Sequence, residues 1–172
     1  MTAETQQKKK KWIIALLLLI ATNLILCFFL FRENMTLAPD YAPVDEEQYA
    51  QDISDGRDEK MLQEKGGGAV SLTYTTAVQI DADKKQVSLY FANPSKSNQD
   101  IVLQVVVHDV VIAQSGKISP GKKIEKLDVI PSGAKQLQSG GYDGEFVVLY
   151  YQPDTHEKTI VSTEIPVKVT VE

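Results

Sequence analysis

From residue 69 onward, apolar and polar side chains alternate with a period of two, the spacing of half-buried β-strands. In "VSLTYTTAVQI" the positions Val70, Leu72, Tyr74, Thr76, Val78 and Ile80 share one face, and in "QVSLYF" Val87, Leu89 and Phe91 do the same. "IVLQVVV" is apolar on both faces and reads as a strand in the middle of a sheet, and "EFVVLYY" behaves similarly. The last run, "IPVKVTV", alternates cleanly, with Ile165, Val167, Val169 and Val171 inward and Lys168 and Thr170 outward. Pro166 suits only an edge or a strand start, because it has no amide to give to a ladder. Turn chemistry separates these runs: "DADKK", "NPSKSNQD", "HD" as a two-residue hairpin, "SPG" with Pro and Gly placed for a type II turn, and "QPDTHEK". No segment after residue 69 has a helical period. About seven strands at this spacing predict an all-β sandwich over residues 69–172.

The N-terminal third is patterned differently. Residues 12–31 carry no charge. At roughly 1.5 Å per residue such a run spans about 30 Å, the thickness of a bilayer's hydrocarbon core. It is longer than the apolar region of a cleaved signal peptide, about 7–15 residues. Cys27 raises lipidation as an alternative, but the bulky Leu24, Ile25 and Leu26 precede it and the apolar run continues through Phe31. Cleavage after Ala38 would leave Pro39 at the new terminus. A retained signal anchor fits best. Lys8, Lys9, Lys10 and Lys11 precede the run, whereas Arg32 and Glu33 cancel after it. Positive charge stays cytoplasmic, so residues 1–11 are expected to be a cytoplasmic stub, 12–31 a single transmembrane helix, and the remainder to lie outside the plasma membrane.

Residues 32–68 read as an acidic stalk. Residues 32–65 hold ten acidic against four basic side chains. Pro39 and Pro43 favour extended chain, and "GGG" at 66–68 makes a flexible joint. The plain reading is a solvated spacer. The sharper one is a docking segment anchored by Tyr49, Ile53, Met61 and Leu62 that folds on a partner.

The chain of 172 residues has a formal charge of -5 and no basic cluster in the sandwich region, which speaks against nucleic-acid binding. Its single cysteine excludes a disulfide framework and any cysteine metal site in the domain, and points mildly to a bacterial source. Candidate chemistry is sparse. His108 beside Asp109 sits at a hairpin tip with no nucleophile that can be placed near it. Asp81, Asp83 and Asp143 are possible calcium ligands, weakened by Lys84 and Lys85. A Lys–Asn isopeptide link would need a buried asparagine, and Asn93 and Asn98 both read as turn residues. No catalytic set and no cofactor site is expected.

At "LQSGGYDGEF" the sequence resembles the corner before the penultimate strand of immunoglobulin-like domains, where a tyrosine bonds back to the backbone. The resemblance implies that Tyr142 is that tyrosine, mostly buried, with Leu137 as an apolar plug and Gly140 and Gly141 permitting a tight corner. The layout of anchor, stalk and sandwich is similar to that of signal-anchored surface proteins of Gram-positive bacteria. The expected function is a non-enzymatic, membrane-anchored extracytoplasmic module that binds a protein partner in a cell-envelope or transfer assembly. The alternative is a ligand- or ion-binding sensor domain acting through a membrane partner.

Overall fold

A computed structural model describes residues 12, 16, 18–23, 37–53, 68–135 and 137–172. The chain divides into two compact units, Met1–Thr36 and Leu37–Glu172. In the first, the described residues are helical. No helix among the described residues is long and apolar enough to cross a membrane. Most of the expected span at residues 12–31 lies outside them.

Among the described residues the second unit has nine strands: β1 (Gln51–Asp52), β2 (Thr73–Tyr74), β3 (Ala77–Asp81), β4 (Gln86–Asn93), β5 (Asp100–Val107), β6 (Val110–Gln114), β7 (Lys122–Asp128), β8 (Gly140–Tyr151) and β9 (Lys158–Val171). Their hydrogen-bonded order is β1-β7-β4-β3-β9-β8-β5-β6, with β2 on β4. This path folds over into two layers. Phe91 on β4 meets Phe146 on β8 edge to face at 5.7 Å, although β3 and β9 lie between those strands in the hydrogen-bonded order. The core between the layers takes Val78, Ile80, Val87, Phe91, Ile124 and Leu127 from one side and Ile101, Leu103, Val105, Phe146, Val148 and Val167 from the other. The expected all-β sandwich architecture is present.

The strand count and the start of the unit differ from expectation. The unit begins at Leu37, well before Ala69, because residues 37–53 pack on the sandwich and contribute β1. "VSLTYTTAVQI" breaks into β2 and β3. Thr75 donates its amide to Tyr90 O at 3.1 Å, and Tyr74 and Thr76 on the expected inward face are exposed. A helical turn, Pro131–Ala134, stands where the pattern showed no helix. Its start follows from Pro131, whose fixed φ suits the first helical position. Parallel pairing of β3 with the end of β9, from Ala77↔Lys168 to Ile80↔Val171, joins the layers.

Local chemistry explains the connections. Gly121 has φ +89 and follows Pro120, and Lys122 donates its amide to Ser119 O at 3.1 Å, so "SPG" closes a turn that requires glycine at its third position. A side chain at Gly144 would bring its Cβ to 2.7 Å from Val106 O, so glycine is needed there for β5 and β8 to approach.

Candidate functional site

The acidic segment at residues 37–53 is a strap across the sandwich. Its first half, which holds Pro39 and Pro43, is irregular, with Ala38 at φ +50, and its backbone bonds go to the sandwich rather than to itself. Ala42 gives its amide to His156 O at 2.7 Å, and Asp40 O receives that of Lys158 at 2.7 Å. The Tyr151 hydroxyl donates to Pro39 O at 3.0 Å. Ala38 and Ala42 pack on Val102, Leu149 and Tyr151, a small apolar cluster on the outward face of β5 and β8. Burial of the Tyr151 phenol, with the Asp40 charge adding to it, pushes its pKa up to about 12.

Two adjacent carboxylates fix the middle of the strap. Glu46 accepts the Ser119 amide and the Ser119 hydroxyl, both at 2.8 Å. Glu47 is buried, and its carboxylate accepts the Gly116 amide at 2.6 Å and the Tyr49 amide at 3.2 Å. A charged acceptor on a backbone amide makes a stronger bond than a neutral one. These carboxylates therefore do the work of ligands rather than of solubilising charge. Nothing in the sequence pattern distinguishes them from their solvated neighbours.

Of the expected docking residues, Tyr49 and Ile53 lie on the chain's own domain. The Tyr49 hydroxyl donates to Asp128 Oδ1 at 2.9 Å, and that bond raises its pKa. Lys126 Nζ stands 4.4 Å from the centre of the Tyr49 ring. Ile53 gives its amide to Gly121 O at 2.8 Å. Met61 and Leu62 lie outside the described residues.

The corner residues come together in part. The Tyr142 hydroxyl donates to Gln138 O at 2.8 Å and accepts the Gln138 amide at 3.0 Å. The ring is half-buried rather than mostly buried, and Leu137 packs against the core. Gly140 and Gly141 do not form a tight corner. They are the first residues of β8, opposite Val171 and Thr170. His108, absent from the expected set, stands edge-on to Tyr142 at 5.5 Å.

The titratable groups are engaged elsewhere. Asp81 pairs with Lys84 at 2.5 Å, which lowers the Asp81 pKa and raises that of Lys84, and Asp143 pairs with Lys168. Among the described residues no group of three or more His, Cys, Asp or Glu side chains could hold a metal ion. Asn93, read as a turn residue, is fully buried at the end of β4. It donates to Gln99 O at 2.9 Å and Ile118 O at 3.0 Å, and so ties the start of β5 and the turn before β7 to β4.

Two surface features remain. A recess of about 360 Å³ is lined by Val70, Gln99, Tyr150, Thr159 and Val161 among others. Beside it, the first half of β9 exposes Ile160 and Val161.

No protein-family model matches the chain, and no curated protein matches it. Among solved structures, the crystal structure of AggA, the major subunit of aggregative adherence fimbriae type I from Escherichia coli, is similar at 11% identity. The match covers 65% of this chain and 100% of that one, with a TM-score of 0.30. A likeness of that degree carries no argument.

Proposed function

We propose that this chain is a single-pass membrane protein that displays an immunoglobulin-like sandwich on the extracytoplasmic face of the plasma membrane. There it acts as a non-enzymatic binding module for another envelope protein. The observation that carries the anchor is the first unit's helix chemistry. Its described apolar side chains are uncovered, with Trp12 80% and Leu18 62% exposed. Among the described residues its polar side chains, Thr22 and Asn23, are satisfied within the helix. Thr22 Oγ1 donates to Leu18 O at 3.0 Å and Leu19 O at 2.9 Å, and Asn23 Nδ2 donates to Leu19 O at 2.8 Å. In lipid every polar group must find an internal partner, and these do. The four lysines before the run support an inside N-terminus. The Tyr142–Gln138 tie supports the immunoglobulin-like reading. The acidic, strapped surface supports a protein partner over a nucleic acid.

Fractionation with alkaline carbonate washing, followed by protease treatment of intact protoplasts, tests the reading. The whole chain should stay with the membrane, and the domain should be cleaved from outside. Recovery of a mature chain beginning at Pro39, or of a domain protected until lysis, would overturn it.

A further inference from the structure

We propose that residues 160–164 of β9 form a self-association edge, which pairs antiparallel with the same residues of a second copy of this chain about a two-fold axis at Ser162. Two other sheet margins are covered in part, β7 at Lys122 and Lys123 and β6 near its middle. β7 carries β1 on its outer side. β6 is joined to the chain after β7 through the Ala113↔Val129 bridge and the Ile130 amide on Ile112 O at 2.8 Å. β9 itself pairs with β3 only at Lys168–Val171, and at its start Lys158 gives its amide to Asp40 O. Between these points, no strand among the described residues pairs with the outer edge of β9.

The direction of the amides follows from parity. Lys168 donates away from β8, to Thr76 O, and the β8 ladder is regular from there back to Leu149↔Ser162, so the even-numbered residues of that stretch present their backbone groups to the open edge, while Lys158, beyond the irregular stretch, also donates outward, to Asp40 O. These are Ser162, Glu164 and Pro166, and Pro166 has no amide to offer; Ile160 lies in the irregular stretch next to them. The usable window is thus bounded by Lys158, already bonded, and Pro166, lacking a donor, and Ser162 is equidistant from both. An antiparallel pairing about Ser162 sets Ile160 opposite Glu164, Val161 opposite Thr163 and Lys158 opposite Pro166. No like charges oppose each other, and no donor is stranded by the proline.

The edge lacks the usual protection of a lysine or other charge in its middle. Residues 160–163 are uncharged, with Ile160 105% and Val161 67% exposed. The irregular pairing between Leu149↔Ser162 and Tyr151↔Lys158 sets residues 159–161 against Tyr150 and turns Ile160 outward. Five residues a side is well below the roughly 800 Å² per partner of a standard interface, so the dimer is weak and depends on concentration.

The test uses the full chain in detergent micelles, with Cys27→Ser to remove its only thiol. Facing residues of a hydrogen-bonded antiparallel pair stand about 5.5 Å apart at Cα, within disulfide reach. Under mild oxidation Ser162→Cys should give a disulfide dimer at least five times more abundant than Thr170→Cys, which lies on the same face where β9 is paired on both sides. Ser162→Pro in the native background should abolish concentration-dependent dimerisation in sedimentation velocity. Equal yields at the two cysteine positions, no dimer at either, or a dimer that survives the proline would each overturn the proposal. Should the proline variant fail to fold, the cysteine comparison still decides. The pairing needs no membrane, so this result stands apart from that of the fractionation.

Discussion

Two tyrosines show how much a hydroxyl is worth in different settings. Tyr142 is half-buried and exchanges two hydrogen bonds with Gln138, both of whose backbone groups can turn to water when the hydroxyl is lost. Tyr142→Phe should therefore cost about 0.5–1.5 kcal/mol, read from the denaturant midpoint, and no more. Tyr151 is fully buried and donates to Pro39 O. Burial, with the Asp40 charge adding to it, pushes the phenol up to about 12 in the folded state, above the ordinary tyrosine value of about 10. The folded state holds this proton more tightly than the unfolded chain. The contribution is complete below pH 10 and is lost as pH rises through 12. Unfolding followed from pH 8 to 12 should show a falling limb that Tyr151→Phe makes shallower. Tyr49 and Tyr150 shift in the same direction, so the limb is reduced and not removed. A limb of unchanged slope in the variant would place the alkaline transition elsewhere.

The strands were legible where one face meets the core along the whole run, and less so where the neighbour changes. β9 keeps its alternation from Ile165 to Val171, and every inward position is buried. β5 reads as apolar on both faces because it is covered on both: the core takes Ile101, Leu103 and Val105, and the strap takes Val102. The alternation from Val70 to Ile80 persists through a break between two strands, since a pattern of side chains does not record which strand the backbone pairs with. The strap escaped for a related reason. Its hold rests on carboxylates and carbonyls, and these carry no periodicity. The hairpin between β5 and β6 was visible as "HD", but its strain was not. His108 and Asp109 have φ of +50 and +61, a turn that prefers glycine at its second central position. Asp109→Gly should raise stability by about 0.5 kcal/mol, since relief of the left-handed backbone outweighs the added freedom of the unfolded chain. A lowered thermal midpoint would show that the Asp109 side chain does something the turn geometry does not reveal.

At the scale of the whole molecule, the strap decides where the folding unit begins. A fragment starting at residue 69 keeps most of the core but uncovers Val102, Leu149 and Tyr151 on the outward face. It also frees the β7 edge, and it leaves the Gly116 and Ser119 amides without Glu47 and Glu46. Each charge-assisted bond is worth about 1.5–3 kcal/mol, and the uncovered apolar surface adds to the loss. A fragment of residues 37–172 should therefore be more stable than one of 69–172 by about 3–5 kcal/mol, a large part of what a domain of this size has to spare. The shorter fragment should also bind a dye for exposed apolar surface and aggregate through its bared β7. Glu47→Gln in the longer fragment separates latch from cover. It keeps the shape and removes the charge, so amide exchange should quicken at Gly116 and Tyr49 while the core amides of β5 and β8 stay protected. Equal denaturant midpoints for the two fragments would return the strap to the role of a spacer lying on the surface.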